Sequence, residues 1–341
     1  MNFLRIIAFP VSVLYQIITA VRNFLYDIGW FKSYSFDLSI IAVGNLSVGG
    51  TGKTPQIEYL IRLLSDKYRI ATLSRGYKRQ SAGFILADES ATASSLGDEP
   101  FQYYQKFKNI QVAVDASRKN GIQQLLLQVQ NPEIILLDDA FQHRKVKAGF
   151  YILLTNYDDL YSDDFVLPTG NLRESSNGAK RANLIIVTKC PKNISVTEQN
   201  SIKLKLNITE NQQLFFGFTE YDDFISSETK SFLVANIIND EYLLLAGIAK
   251  PEPFFEHLQN EKNSILSFPD HHNFSDKDIS DIKNKANNRK IITTEKDFVR
   301  LRGKISDEQL FYLPIKSNFV ADKENFDKII LDYVGKSSRN S

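Results

Sequence analysis

Ile40-Ile41-Ala42-Val43-Gly44-Asn45-Leu46-Ser47-Val48-Gly49-Gly50-Thr51-Gly52-Lys53-Thr54-Pro55 joins an apolar run to a segment of helical pattern through a glycine-rich loop. Small residues let several backbone N–H groups close on one anion, and the helix that follows points its positive end at the same place. In such a loop Lys53 reaches the β- and γ-phosphates of a nucleoside triphosphate, and Thr54 offers its hydroxyl to Mg²⁺. The pattern asks for glycine five places before Gly52, where Ser47 stands. The match is full at Gly52-Lys53-Thr54 and relaxed at its start. We expect the span from Ser47 through Val48, Gly49, Gly50, Thr51 and Gly52 to Thr54 to cradle the phosphates. A glycine-rich turn without a ligand is the plainer alternative.

Outward from the loop, strand and helix patterns alternate. Gln56–Ser65 reads as the helix behind the loop and Arg69–Leu73 as the next strand. Ile110–Val114, Ile134–Leu137, Tyr151–Leu154 and Leu184–Val187 are short apolar runs, with a helix at Ala116–Gln130. This alternation predicts an α/β fold of the P-loop NTPase kind, a mostly parallel sheet flanked by helices. Residues 207–231 are irregular and rich in Phe, Glu and Asp, and a second α/β unit follows. Its expected strands are Tyr242–Ala246, Ile291–Thr293 and Leu310–Leu313, and its helices Pro251–Gln259, Ser275–Ala286 and Lys323–Tyr333. The division is therefore 1–30 for a membrane-associated amphipathic helix, 31–215 for the P-loop domain, 216–335 for a smaller C-terminal α/β domain, and 336–341 for a polar tail.

The N-terminus stands apart. No charged residue lies between Arg5 and Arg22, while Ile7, Val11, Leu14, Ile18, Val21 and Leu25 form a helical stripe. Trp30, Phe31 and Tyr34 follow, residue types that settle at lipid headgroups. The run is shorter than the roughly 20 apolar residues that a spanning helix needs, and Pro10 interrupts it. An interfacial helix on the inner face of a membrane is the favoured reading, against a terminal helix packed into the core, or a true span or signal. A net charge of +1 over 341 residues gives no reason to expect a nucleic-acid partner. The lone Cys190 excludes an intramolecular disulfide, and one cysteine with four scattered histidines makes no structural zinc pattern.

Several constellations carry candidate chemistry. Ile134-Ile135-Leu136-Leu137-Asp138-Asp139 is an apolar strand ending in carboxylates, which places Asp138 or Asp139 near the Thr54-bound Mg²⁺. Gln142 and His143 follow within a turn of that crevice. In Ser95-Leu96-Gly97-Asp98-Glu99-Pro100, Asp98 is either an acid favoured by a helix N-terminus or the base for an attacking hydroxyl. Phe268-Pro269-Asp270-His271-His272 sets two histidines in a turn of the second domain, read either as solvated or as partners of a carboxylate across the cleft. Leu167-Pro168-Thr169-Gly170-Asn171-Leu172-Arg173-Glu174 and Ser74-Arg75-Gly76-Tyr77-Lys78-Arg79 are phosphate or sugar clamps, or surface ion pairs. Thr294-Glu295-Lys296-Asp297 is equally open. Thr188-Lys189-Cys190-Pro191 stands where guanine-binding proteins carry Asn-Lys-x-Asp. The missing carboxylate argues against a GTPase switch and for ATP.

Taken in order, the phosphate loop, Ser74-Arg75-Gly76-Tyr77, Gly97-Asp98-Glu99-Pro100, Asp138-Asp139-x-Phe141-Gln142-His143, Leu167-Pro168-x-Gly170-x-Leu172-Arg173-Glu174 and Thr294-Glu295-Lys296-Asp297 resemble the tetraacyldisaccharide 4′-kinase family, the lipid A kinases of Gram-negative bacteria. The resemblance implies transfer of the ATP γ-phosphate to the 4′-hydroxyl of a tetraacylated glucosamine disaccharide 1-phosphate, giving lipid IV-A, at the cytoplasmic face of the inner membrane. It implies Lys53 on the transferring phosphoryl group, and Mg²⁺ held by Thr54, Asp138 and Asp139. It further implies Asp98 as general base with His271 as its partner, and Gln142, His143, Arg173 and Glu174 as the wall facing substrate and metal. Ala140 departs from the family's usual glycine, and Ala249-Lys250 from its usual Gly-Asn. Outside the resemblance, a P-loop kinase of a soluble metabolite and a membrane-bound nucleotide switch remain as rivals.

Overall fold

Ser39–Asn45 forms the central strand β1 of a nine-stranded sheet, and all seven residues are buried. Successive side chains leave a strand on opposite faces. Ile41 and Val43 accordingly enter one apolar core, Ile40 and Ala42 another. The computed structural model describes residue 5 and residues 7–270 and 272–337.

Parallel neighbours of β1 are β5 (Ile134–Asp138) and β6 (Phe150–Asn156). Beyond β5 run β2 (Ile70–Ser74) and β4 (Gln111–Val114); beyond β6 run β7 (Leu184–Thr188) and β8 (Gln213–Tyr221), all parallel. Antiparallel edges β3 (Ile85–Leu86) and β15 (Ile315–Phe319) complete the sheet. Because the inner strands share one direction, Asn45, Ser74, Asp138 and Thr188 all end at the same edge, where α/β proteins bind ligands.

Behind the loop, helix α2 (Lys53–Leu64) buries Ile57, Leu60, Ile61 and Leu64, one face of a 3.6-residue period. Truncating Leu60 to alanine there would cost about 2–5 kcal/mol. Helix α3 (Asp98–Lys106) adds Tyr103 to that core, and α4 (Arg118–Leu126) covers the opposite face with Ile122 and Leu125. Helix α5 (Val196–Leu206), capped by the Ser195 hydroxyl, packs Ile202 and Leu206 near β7.

The smaller sheet comprises β9 (Phe224–Ser226), β10 (Ser231–Leu233), β11 (Tyr242–Ala246), β12 (Ser264–Ser267), β13 (Lys290–Thr294) and β14 (Leu310–Leu313). Its order is β10-β9-β14-β13-β11-β12, with β12, β11, β13 and β14 parallel. Helices α6 (Glu252–Leu258), α7 (Asp276–Ala286) and α8 (Glu295–Leu301) accompany it.

The division differs from the one drawn on sequence. Residue 215 falls inside β8, and the chain returns to the first sheet after residue 313. There β15 pairs with β8, and Phe326, Ile330 and Val334 of α9 (Lys323–Ser337) join the core under α2. By sheet membership the second unit spans 224–313. Local pattern reports that α9 has an apolar face; it does not report which sheet that face covers.

Helix α1 (Phe9–Asp27) is turned inside out relative to a globular helix. Val11, Leu14, Ile18, Val21 and Phe24 are exposed, Leu14 by 59% and Trp30 just beyond the helix by 77%, whereas Ser12 and Thr19 are buried. No helix among the described residues is long and apolar enough to cross a membrane.

Candidate active site

At the end of β1 the buried Asn45 shapes the phosphate loop. Its Nδ2 donates to the Ser47 carbonyl at 2.7 Å, and its Oδ1 accepts from Lys53 Nζ at 3.1 Å. The loop's first half is clamped to the 171–173 segment: Arg173 N–H donates to the Leu46 carbonyl (2.7 Å) and Val48 N–H to that of Asn171 (2.8 Å). The other flank rests on β7, where Thr188 Oγ1 donates to the Thr51 carbonyl (3.0 Å) and Lys189 Nζ to that of Gly50 (2.7 Å). The segment that lacks a guanine reader thus buttresses the loop. Gly49 and Gly52 have φ of 108° and 81°, a region side chains disfavour. Ser47 does not take that conformation and forms a bridge with Leu172, so its position makes no demand for glycine.

Asp138 and Asp139 take different roles. The Tyr103 hydroxyl lies 3.3 Å from Asp138 Oδ2 and also meets the Thr54 side chain, so one phenol touches two of the three groups expected to hold Mg²⁺. Ser74 Oγ approaches the same oxygen at 3.4 Å, whereas Asp138 Oδ1 is buried with no hydrogen-bond partner among the described residues. Burial, and then the charge of Asp139, push the Asp138 carboxyl up to about 6. A buried carboxylate oxygen left without a partner fits a hard cation that keeps several of its own waters.

Asp139 has a left-handed backbone, with φ 48°. Arg173 Nη1 reaches both oxygens (2.9 and 3.0 Å), and Lys53 Nζ stands 3.6 Å off. Burial opposes ionisation, but Lys53 and Arg173 hold the group below the usual carboxylate range. Here Asp139 anchors two cations.

Gln142 Nε2 donates to the Asn45 carbonyl (2.9 Å) and to Glu174 Oε1 (3.1 Å). Glu174 also accepts from Arg181 (2.8 Å) and from Asn23 of α1 (2.6 Å). At 1% side-chain exposure its carboxylate is buried: three donors claim it, and it holds the wall together. His143 is half-buried; burial first, and then the cations Arg118, Lys145, Arg75 and Arg22, bring it down to about 4, so it is neutral at physiological pH. Helix α1 is bonded to the same wall. Tyr15 Oη donates to the Arg173 carbonyl (2.8 Å) and Arg22 Nη2 to that of Gln142 (3.0 Å).

Asp98 opens α3 after Gly97 and lines a cleft of about 970 Å³ with Tyr77, Phe101, Asn273 and Phe298. Its carboxylate accepts from Arg300 of α8, on the second unit (Nε at 3.1 Å, and Nη2). Beside it Glu99 pairs with Lys296 at 3.2 Å. His271 lies outside the described residues. Its neighbour His272 stacks on Phe268 and bonds Asp278 in the cap of α7 (3.1 Å), a local structural role.

The match to known proteins is decisive. A family model for LpxK, tetraacyldisaccharide-1-P 4′-kinase, covers residues 4–335. The chain belongs to this kinase family. A Flavobacterium johnsoniae tetraacyldisaccharide 4′-kinase is 65% identical over 98% of both chains, and one from Flavobacterium psychrophilum 64% identical over 100% of both. A Bacteroides thetaiotaomicron kinase is 45% identical over 98% of this chain and 94% of its own. Among solved structures, LpxK from Aquifex aeolicus in complex with ATP superposes with a TM-score of 0.79 at 30% identity, covering 97% of this chain and 100% of that one. Membership removes the soluble-metabolite kinase and the nucleotide switch as rivals.

Sequence reasoning assigned no role to four residues that border the site. Tyr103, Thr188 and Arg300 meet partners distant in the chain, whereas the Asn45 side chain bonds Ser47 and Lys53 nearby. Asn45 alone carried a signal, as an amide at the last position of an apolar strand.

Proposed function

We propose that the enzyme works as a monotopic protein on the cytoplasmic face of a membrane, with Asp98 as proton acceptor and Lys53 and Arg173 as the cations that follow the transferring phosphoryl group. As a tetraacyldisaccharide 4′-kinase it moves the γ-phosphoryl group of ATP to the 4′-hydroxyl of tetraacyldisaccharide 1-phosphate, a step of lipid A biosynthesis. The observation that carries the membrane reading is the polarity of α1. Its apolar residues face outward, while Tyr15, Arg22 and Asn23 bond the wall of the phosphate site. A surface that accepts lipid is thereby fixed to the catalytic groups.

In the reaction the 4′-oxygen bonds the γ-phosphorus, the bond from that phosphorus to the β–γ bridging oxygen breaks, and ADP leaves with the electron pair. Positioning and charge neutralisation dominate such transfers. Lys53 and Arg173, both held by Asp139, are placed to turn toward incoming phosphate oxygens. Mg²⁺, when bound, would be held by Thr54 with Asp138 and Asp139, directly or through water, and would neutralise charge on the phosphates. Asp98 takes the proton released from the acceptor hydroxyl, with His271 proposed to share it. Arg300 comes from the other unit, so apposition of the two units completes the surroundings of Asp98.

Asp98→Ala tests the assignment. We expect kcat to fall by about 10²–10⁴-fold with ATP binding retained. Unchanged turnover removes Asp98 as the base.

A further inference from the structure

Thr294-Glu295-Lys296-Asp297, left open by the sequence, and the segment from Gly247 to Pro251 meet at one carboxylate. Asp297 is fully buried, and its Oδ2 accepts from the Gly247 N–H (2.7 Å) and the Thr294 hydroxyl (2.7 Å). Its other oxygen lies 3.5 Å from Nη1 of Arg300. The Arg300 side chain is 9% exposed and spans to the first unit, where Nε and Nη2 converge on Oδ2 of Asp98. One guanidinium thus sits between a fixed carboxylate of α8 and the proposed base at the start of α3.

We infer that Arg300 is a positioning residue for phosphoryl transfer: anchored by Asp297, it aims the Asp98 carboxylate at the acceptor hydroxyl. This rests on the reading of Asp98 as proton acceptor. Two N–H groups directed at a single oxygen fix the orientation of a carboxylate, which a lysine ammonium, as a point charge, does less well. The Gly247 turn and the Thr294 cap belong to the same support, since they immobilise Asp297 and through it the guanidinium. A further ion pair, Glu99–Lys296, keeps α8 in register on α3. A positioning group and a simple clasp between the units make different kinetic demands.

The test is a double-mutant cycle on the full chain, read in single-turnover transfer from labelled ATP to the lipid disaccharide. Arg300→Ala should lower the rate about 100-fold, as misplacement of a reacting group does, with ATP affinity kept. Arg300→Lys should recover part of the loss. In an Asp98→Ala background Arg300→Ala should add nothing, because the group it aims is gone. Losses that multiply, or an Arg300→Ala enzyme with parental rate, overturn the inference while leaving Asp98 as base. Full turnover by Asp98→Ala alone overturns both. If Arg300→Ala does not fold, Arg300→Lys with and without Asp98→Ala supplies the same cycle.

Discussion

The Tyr15 hydroxyl donates a 2.8 Å hydrogen bond to the carbonyl oxygen of Arg173, the residue whose guanidinium grips Asp139. A helix with an outward apolar face is therefore joined to the phosphate site by its polar side. Asn23 adds a bond to the buried carboxylate of Glu174. Asn23→Ala leaves that carboxylate one donor short, and we expect a loss of about 1.5–3 kcal/mol, the range for hydrogen bonds to charged groups. Thermal unfolding of the variant reads it; an unchanged midpoint contradicts the bond's role.

Ile18 and Val21 are exposed, so charging them should spare the fold and abolish membrane attachment. The double variant Ile18→Asp, Val21→Asp is expected to melt as the parent does, yet to remain in the supernatant when sedimented with phospholipid vesicles. Pelleting equal to that of the parent rejects the interfacial helix.

Much of this arrangement was legible because β1, β5, β6 and β7 are buried on both faces and so read as unbroken apolar runs. Gly52-Lys53-Thr54 and Asp138-Asp139 lie at the ends of such runs, where the topology collects ligands. What stayed hidden depends on contacts between distant segments. Tyr103 looks like an ordinary helical aromatic until α3 delivers its hydroxyl between Thr54 and Asp138. Asp139 is engaged by Arg173 and Lys53, and no local pattern announces the Arg173 contact. The return of β15 and α9 to the first sheet has the same origin: periodicity gives a face but not its partner.

Lys53 bridges the side chains of Asn45 and Asp139. Lys53→Met should cost about 10²–10³-fold in kcat, the loss seen when one donor to developing charge is removed. Steady-state kinetics with ATP varied checks it. Turnover equal to that of the parent would remove the loop as the phosphate cradle.

Glu295 is buried and shares Lys106 with Glu58. Burial first, and then Glu58, push its carboxyl up to about 7. The unfolded chain has the lower, ordinary value, so folding is favoured by proton binding in acid, and that contribution fades as pH rises through the folded value. Glu295→Gln should therefore raise the melting temperature relative to the parent at about pH 8 and change it little at about pH 5. An equal change at both pH values contradicts the linkage.

The most direct measurement incubates the protein with γ-labelled ATP and tetraacyldisaccharide 1-phosphate in mixed micelles and follows the label by chromatography of the lipid. Expected is label on the 4′-position of the disaccharide from the parent enzyme, and its loss from both Lys53→Met and Asp98→Ala. Label released only as inorganic phosphate, or carried to lipid equally well by those variants, would contradict the assignment of the site.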